Sequence, residues 1–370
     1  MSRFKELGIN DKLIQGLNEL GIHEPTEVQE KAIPFLVENG SDFVCRAQTG
    51  TGKTAAFGLP LLQYINPKSD KVQGLILTPT RELAKQVAKH LFKYTKFTNK
   101  VFTEAVYGGD KIEIQVKALS RPTQIIVATP GRLIDLLKMR AVDLSHVKRV
   151  ILDEADEMLS MGFREHLTKI INETPNRENM WLFSATIPEG IQKLVKHYMS
   201  HDAKHLLLES KDILQDAITH QYIRCPIEEK VERIVQFLER RGNDRGIIFC
   251  RSKAGTIKLG ETLNREGYSN AVLQGNLSQK DREKIMRSFR KERFQYLVAT
   301  DVAGRGIDIE GLSFVIHHQL PENAETYIHR SGRTARAGRT GISYCLIAGR
   351  DGQRLKKLEH ELKIRFQQIA

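Results

Sequence analysis

Apolar residues fall into two patterns along the chain. In the first half, short unbroken runs recur at Phe43-Val44-Cys45, Leu75-Ile76-Leu77, Ile125-Ile126-Val127-Ala128, Val150-Ile151-Leu152 and Trp181-Leu182-Phe183. In the second half they are Gly246-Ile247-Ile248-Phe249-Cys250, Ala271-Val272-Leu273, Tyr296-Leu297-Val298-Ala299 and Phe314-Val315-Ile316. A strand covered on both faces reads as such a run. Between the runs, apolar positions keep a helical period, as at Leu13, Leu17 and Leu20 before Gly21. The alternation predicts an α/β fold built on parallel sheets. It breaks near 207–219, where Leu207-Leu208 gives way to Glu209-Ser210-Lys211-Asp212. The break divides the chain into two doubly wound domains, 1–208 and 218–370, with a linker at 209–217.

Composition changes this picture little. The 370 residues are 40% hydrophobic and 28% charged, enough for two packed cores. The net charge of +12 points towards a polyanionic partner, or simply a basic surface. The four cysteines, Cys45, Cys225, Cys250 and Cys345, make no CxxC pair and no metal-ligand spacing. Scattered single thiols suit a reducing compartment, and Cys250 and Cys345 read as core. Met1-Ser2-Arg3-Phe4-Lys5 has no signal-peptide core, and no apolar run is long enough to span a bilayer. The expectation is a cytoplasmic protein without a membrane partner.

The strongest chemical signal is Ala47-Gln48-Thr49-Gly50-Thr51-Gly52-Lys53-Thr54, set between an apolar run and a helical stretch. Glycines let the turn bring backbone N–H groups close to an anion, and the helix start favours phosphate. Lys53 can then reach the outer phosphates and the Thr54 hydroxyl can hold Mg²⁺. The general GxxxxGK[ST] pattern has glycine where this chain has Ala47. The second signal is Asp153-Glu154-Ala155-Asp156 after a buried run. Asp153 is placed to hold Mg²⁺ and Glu154 to orient and deprotonate an attacking water. Acid pairs after strands also cap helices, so this motif gains its force from the Gly-Lys-Thr loop upstream.

Other residues admit two readings. Gln29, after Pro25-Thr26, either reads the edge of adenine or is an ordinary surface glutamine. Arg81 either holds a phosphate at the mouth of a parallel sheet or pairs with Glu82. Thr129-Pro130-Gly131-Arg132 repeats the strand, Thr-Pro and Arg design of that first site. Arg330, Arg333 and Arg336 share one face if the segment is helical, and their mutual repulsion then calls for a counter-anion. The alternative is a solvated basic face. Trp181 reads as core, and His317, His318 and His329 as structural histidines.

Taken together, these motifs resemble the DEAD-box ATP-dependent RNA helicases of superfamily 2, across essentially the whole chain. The resemblance implies two tandem RecA-like doubly wound parallel-sheet domains, a minimal two-domain core, and an RNA-dependent ATPase. Phe4 and Gln29 would meet the adenine. Gln48, Thr49, Gly50, Thr51, Gly52, Lys53 and Thr54 would hold the ATP phosphates, with Thr54 and Asp153 on Mg²⁺ and Asp308 near the ribose. Lys53, Glu154, Arg333 and Arg336 would be catalytic. Ser184 and Thr186 would couple nucleotide state to RNA. Pro79, Thr80, Arg81, Gly109, Thr129, Arg132, Gly275 and Thr300 would touch RNA, with Gln279 and Arg282 in a further second-domain motif.

The chain departs from the family pattern at Ile22, Gln274, Ser331 and Ala335. The implied partner is RNA, single-stranded or a short duplex, bound by a monomer and unwound by domain closure. Two alternatives are an ATP-gated RNA clamp or scaffold with little unwinding, and a DNA-directed translocase of the same superfamily.

Overall fold

The computed structural model describes residues 2–38, 41–48, 50–208, 217–304, 312–335, 339–349 and 351–369. The chain divides into two compact units, Met1–Glu209 and Ser210–Ala370. The expected linker lies almost wholly outside the described residues.

The first unit holds seven parallel strands: β1 (Phe43–Arg46), β2 (Gly74–Leu77), β3 (Thr103–Val106), β4 (Ile125–Ala128), β5 (Arg149–Asp153), β6 (Asn179–Ser184) and β7 (Lys204–Leu207). Their order is β3-β4-β2-β5-β6-β1-β7. Successive side chains feed opposite faces. Cys45, Ile76, Val127, Ile151, Trp181 and Phe183 join one core cluster. Val44, Leu75, Leu77, Ile126, Val150, Leu152 and Leu182 join the other. Each such fully buried side chain contributes about 1.5–3 kcal/mol.

The second unit repeats the plan with β8 (Ile218–Arg224), β9 (Gly246–Cys250), β10 (Asn270–Leu273), β11 (Tyr296–Thr300), β12 (Phe314–His317), β13 (Gly341–Ile347) and β14 (Gln367–Gln368). The order is β10-β11-β9-β12-β13-β8-β14, again all parallel.

The apolar runs predicted the central strands but not β3, β7, β8, β13 or β14. The flanking strands are partly wet and carry polar residues such as Glu104, Lys204 and His205. Ser343 and Tyr344 interrupt the apolar run of β13. All four cysteines are free and buried. Burial pushes the Cys45 and Cys250 thiols up to about 12 and raises Cys345 and Cys225 as well. No helix among the described residues is long and apolar enough to cross a membrane.

Candidate active site

β1 runs into the glycine loop, and the next helix, Lys53–Tyr64, begins at Lys53 itself. Gly50 and Gly52 take φ of 83° and 90°, a region costly for other residues. A Cβ on Gly52 would lie 2.4 Å from Gln29 Nε2. That contact exists because Gln29 is not a surface residue: it is 3% exposed. Its Nε2 donates to the Gly52 carbonyl at 3.0 Å, and its Oε1 accepts from Thr26 N–H at 3.0 Å. The second bond is the back-half of a capping box. Thr26 Oγ1 also donates to the Thr51 carbonyl at 2.8 Å. The loop is thus fastened to the helix start that precedes it. Lys53 Nζ is buried and donates to the Ala47 carbonyl at 2.9 Å. Thr49 lies outside the described residues.

Beside this loop, β5 delivers Asp153 and Glu154. Asp153 is 3% exposed, and burial drives its carboxyl up to about 7 while Lys53 pulls it down. Its Oδ1 has no hydrogen-bond partner among the described residues, nor does the buried Gln48 Nε2. Glu154 sits in the left-handed region at φ 52° and caps the helix Ala155–Ser160 without a side-chain bond. Such a conformation costs about 1–3 kcal/mol and gathers at functional sites.

Asp156 ties this motif to the end of β6. Its Oδ2 accepts from Thr186 N–H at 2.7 Å and from Thr186 Oγ1 at 2.8 Å. Asp156 N–H donates to Ser184 Oγ at 3.2 Å, and Ala47 N–H to the Ser184 carbonyl at 2.9 Å. Ser184 therefore touches both the glycine loop and the acidic motif.

A second cluster forms beyond β2 and β4. Thr80 caps the helix Arg81–Tyr94, and Thr129 starts the helix Pro130–Lys138. Arg81 pairs with Asp110 at 2.7 Å and lies 4.5 Å from the Tyr107 ring centre. Arg132 Nη2 donates to the Asp110 carbonyl at 2.9 Å, while its buried Nη1 has no partner among the described residues. Gly109, at φ 90°, makes the turn that presents Asp110 to both arginines.

In the second unit, Thr300 ends β11 and Asp301 follows it. Arg330 forks onto Asp301 through Nε and Nη2 at 2.5 and 2.7 Å. Its Nη1 donates to the Gln319 carbonyl at 3.1 Å. The helix bearing it, Ala324–Ser331, ends there with Gly332 as C-cap. Arg330 and Arg333 therefore do not share a helical face, because the helix stops before Arg333. The counter-anion that their repulsion called for is, for Arg330, an internal carboxylate. Arg333 Nε donates to the His329 carbonyl at 3.1 Å. Arg336 and Asp308 lie outside the described residues.

Ser331 Oγ meets Ser343 Oγ at 3.0 Å, which in turn lies 3.0 Å from His317 Nε2. Burial first, then Arg330 and His220, push His317 well below its ordinary value. Among the described residues no histidine, cysteine and carboxylate group is arranged for a metal. Gly275 is exposed beside Lys253, and Arg282 Nη2 donates to the Ala303 carbonyl at 2.8 Å.

The family model described as DEAD/DEAH box helicase matches residues 26–194, and that described as helicase conserved C-terminal domain matches 229–338. The DEAD-box ATP-dependent RNA helicase CshA of Bacillus cereus is 39% identical over 363 residues, covering 98% of this chain and 69% of that protein. The chain belongs to the DEAD-box helicase family. The Listeria monocytogenes ATP-dependent RNA helicase CshA is 38% identical over 369 residues, covering all of this chain and 70% of that one. Among solved structures, S. cerevisiae Dbp5 bound to RNA and ADP BeF3 matches with a TM-score of 0.90 at 30% identity, covering 99% and 95% of the two chains. A DEAD-box protein from Methanococcus jannaschii matches with 0.58 at 36% identity, covering 99% of each.

As a DEAD-box helicase, the chain carries an ATP-binding unit, and its loop fits a nucleotide. Two buried polar atoms there lack partners, and a side chain on Gly52 would collide with Gln29. Phe4 departs from the adenine role implied for it: it is wholly buried in the apolar cluster with Ile9, Leu13 and Leu17. Sequence reasoning read Thr26 as a helix cap and missed Tyr107, Asp110 and Asp301. Only Asp110, beside the Gly108-Gly109 turn, carried a local signal.

Proposed function

We propose that this helicase binds RNA through its backbone and opens short duplexes by ATP-driven closure of its two units. The observation that carries the reading is the link from Lys53 through Ala47 to Ser184, and from Ser184 through Asp156 to Thr186. It gives the phosphate loop a hydrogen-bonded route to the Ser-Ala-Thr segment. Lys53, the loop N–H groups and Gln29 would hold ATP; Thr54 and Asp153 would hold Mg²⁺. That ion supplies charge neutralisation at the phosphates. Glu154 takes the proton of the attacking water, and Arg333 and Arg336 meet the charge that develops on the transferred group.

RNA would lie along Pro79, Thr80, Arg81, Gly109, Thr129 and Arg132 in the first unit, and Gly275 and Thr300 in the second. The unpartnered Arg132 Nη1 and the exposed Lys253 beside Gly275 support that path. Backbone and 2′-OH contacts of this kind favour RNA over DNA with little sequence preference. Domains at 1–208 and 218–370, a monomer, and a cytoplasmic setting that suits its free thiols complete the proposal.

The test is steady-state ATP hydrolysis with no polymer, with single-stranded RNA and with matched DNA, for the wild type and Lys53→Ala. RNA-specific stimulation lost in the variant is the expected result. Equal stimulation by DNA would indicate a translocase; RNA binding without turnover would indicate a clamp. Glu154→Gln is expected to slow hydrolysis roughly a hundred- to ten-thousandfold while retaining ATP-dependent RNA binding. Normal turnover in that variant removes Glu154 from its role.

A further inference from the structure

The helix Arg81–Tyr94 starts at the candidate RNA cluster and runs back to the opposite edge of the sheet before β3 begins. Between Leu83 and Thr103 the sequence holds five lysines and no carboxylate. Lys85, Lys89 and Phe92 recur at helical spacing and share one face. Lys85 Nζ is 5.1 Å from the centre of the Tyr107 ring, the ring on which Arg81 also rests. The stripe therefore begins where the RNA cluster ends.

At the far end three rings stand in water: Phe92, Phe97 and Phe102 are 67%, 43% and 39% exposed. Lys96 Nζ lies 5.6 Å from the Phe97 ring centre, and Lys100 Nζ 4.8 Å from that of Phe102. Lys96 pairs with Glu19, but Lys89, Lys93 and Lys100 have no carboxylate partner among the described residues.

We infer that this stripe is a second, outlying site for single-stranded RNA, taking the strand as it leaves the core contacts. The inference rests on the RNA reading above. Charge decides the occupant: a surface whose lysines outnumber its one paired carboxylate, Glu19, suits a polyanion, and exposed rings among lysines are what unpaired bases stack on. The 14-residue helix spans about 21 Å, which a stacked strand covers in roughly six nucleotides at ~3.4 Å each.

The experiment compares equilibrium binding of a short pyrimidine RNA with the same RNA extended by roughly six nucleotides at its 5′ or its 3′ end. Two variants are used, F92S/F97S and K89E/K93E, all at exposed or half-exposed positions where folding is spared. Extension at one end is expected to tighten wild-type binding about tenfold, and both variants to lose that gain. Short-strand binding and short-strand stimulation of hydrolysis stay at wild-type values. The salt slope for the extended strand is expected to fall by about 0.7 for each lysine removed.

No gain from extension at either end in the wild type overturns the site. So does a change in sedimenting mass in F92S/F97S, which would make the patch a contact between copies. A wild type that binds only the extended strand, with the same sensitivity to both variants, keeps the stripe and removes the core RNA reading.

Discussion

The two units place a lysine at the same point of the same sheet and use it differently. β1 and β8 hold the same position in their sheets, and each is followed by a helix whose first residue is lysine, Lys53 or Lys230. In the first unit the intervening loop has Gly50 and Gly52, and Lys53 reaches one carbonyl of its own loop. In the second the loop is Cys225-Pro226-Ile227-Glu228-Glu229, with no glycine and two acids that repel phosphate. Lys230 is buried there and donates to the carbonyls of His318 and Leu346 at 2.8 and 2.9 Å. Burial pulls its pKa down. The neighbouring strands tell the same story: β5 ends in Asp153, whereas β12, in the matching place, ends in His317. One fold carries a lysine that reaches its own glycine loop in the first unit, and a lysine that ties two carbonyls together as a structural plug in the second.

That contrast can be broken by substitution. The largest effect is expected from the second unit's contribution to chemistry: Arg333→Ala should lower RNA-stimulated hydrolysis on the order of a thousandfold. Near-normal turnover would remove Arg333 from its role and leave Arg336 as the second unit's catalytic candidate. Lys53→Ala should follow, losing roughly a hundred- to a thousandfold, with thermal unfolding close to wild type. Lys230→Ala should do the reverse. It strands two carbonyls and a cavity, so chemical denaturation should report a loss of about 2–3 kcal/mol, with turnover per folded molecule little changed. If Lys230→Ala instead abolished hydrolysis in a folded protein, the two lysines would not have separated in role.

The smallest effect concerns Ala335, which occupies φ 55° where the family pattern has glycine. Ala335→Gly removes a left-handed cost of about 1–2 kcal/mol. The extra freedom of glycine in the unfolded chain offsets ~0.4–1 kcal/mol of that gain. A net stabilisation of between zero and about 1.6 kcal/mol is expected in urea titration, and a loss would mean that the Ala335 methyl packs more tightly than its backbone is strained.

What the sequence made legible follows from range. Central strands showed themselves because both faces are covered, so their middle residues are apolar even where the ends are polar. The edge strand β3 did not, because its Thr103 and Glu104 face water in part. The phosphate loop and the Asp-Glu pair are contiguous and could be read directly. Their partners are not contiguous: Asp156 meets Thr186, Arg81 meets Asp110 and Arg330 meets Asp301 only once strands are ordered. Gln29 shows the limit most clearly. Its buried bridge to Gly52 is set by the fold, and pattern alone favoured an ordinary surface glutamine.

The buried cysteines have a practical consequence. Maleimides are attacked by the thiolate, and burial keeps Cys45, Cys225, Cys250 and Cys345 protonated and covered. The folded chain should therefore be almost silent to maleimide dyes. One cysteine introduced on the surface of each unit would then carry a donor and an acceptor without removing any native residue. Energy transfer between them would test the domain closure proposed above while ATP is turned over.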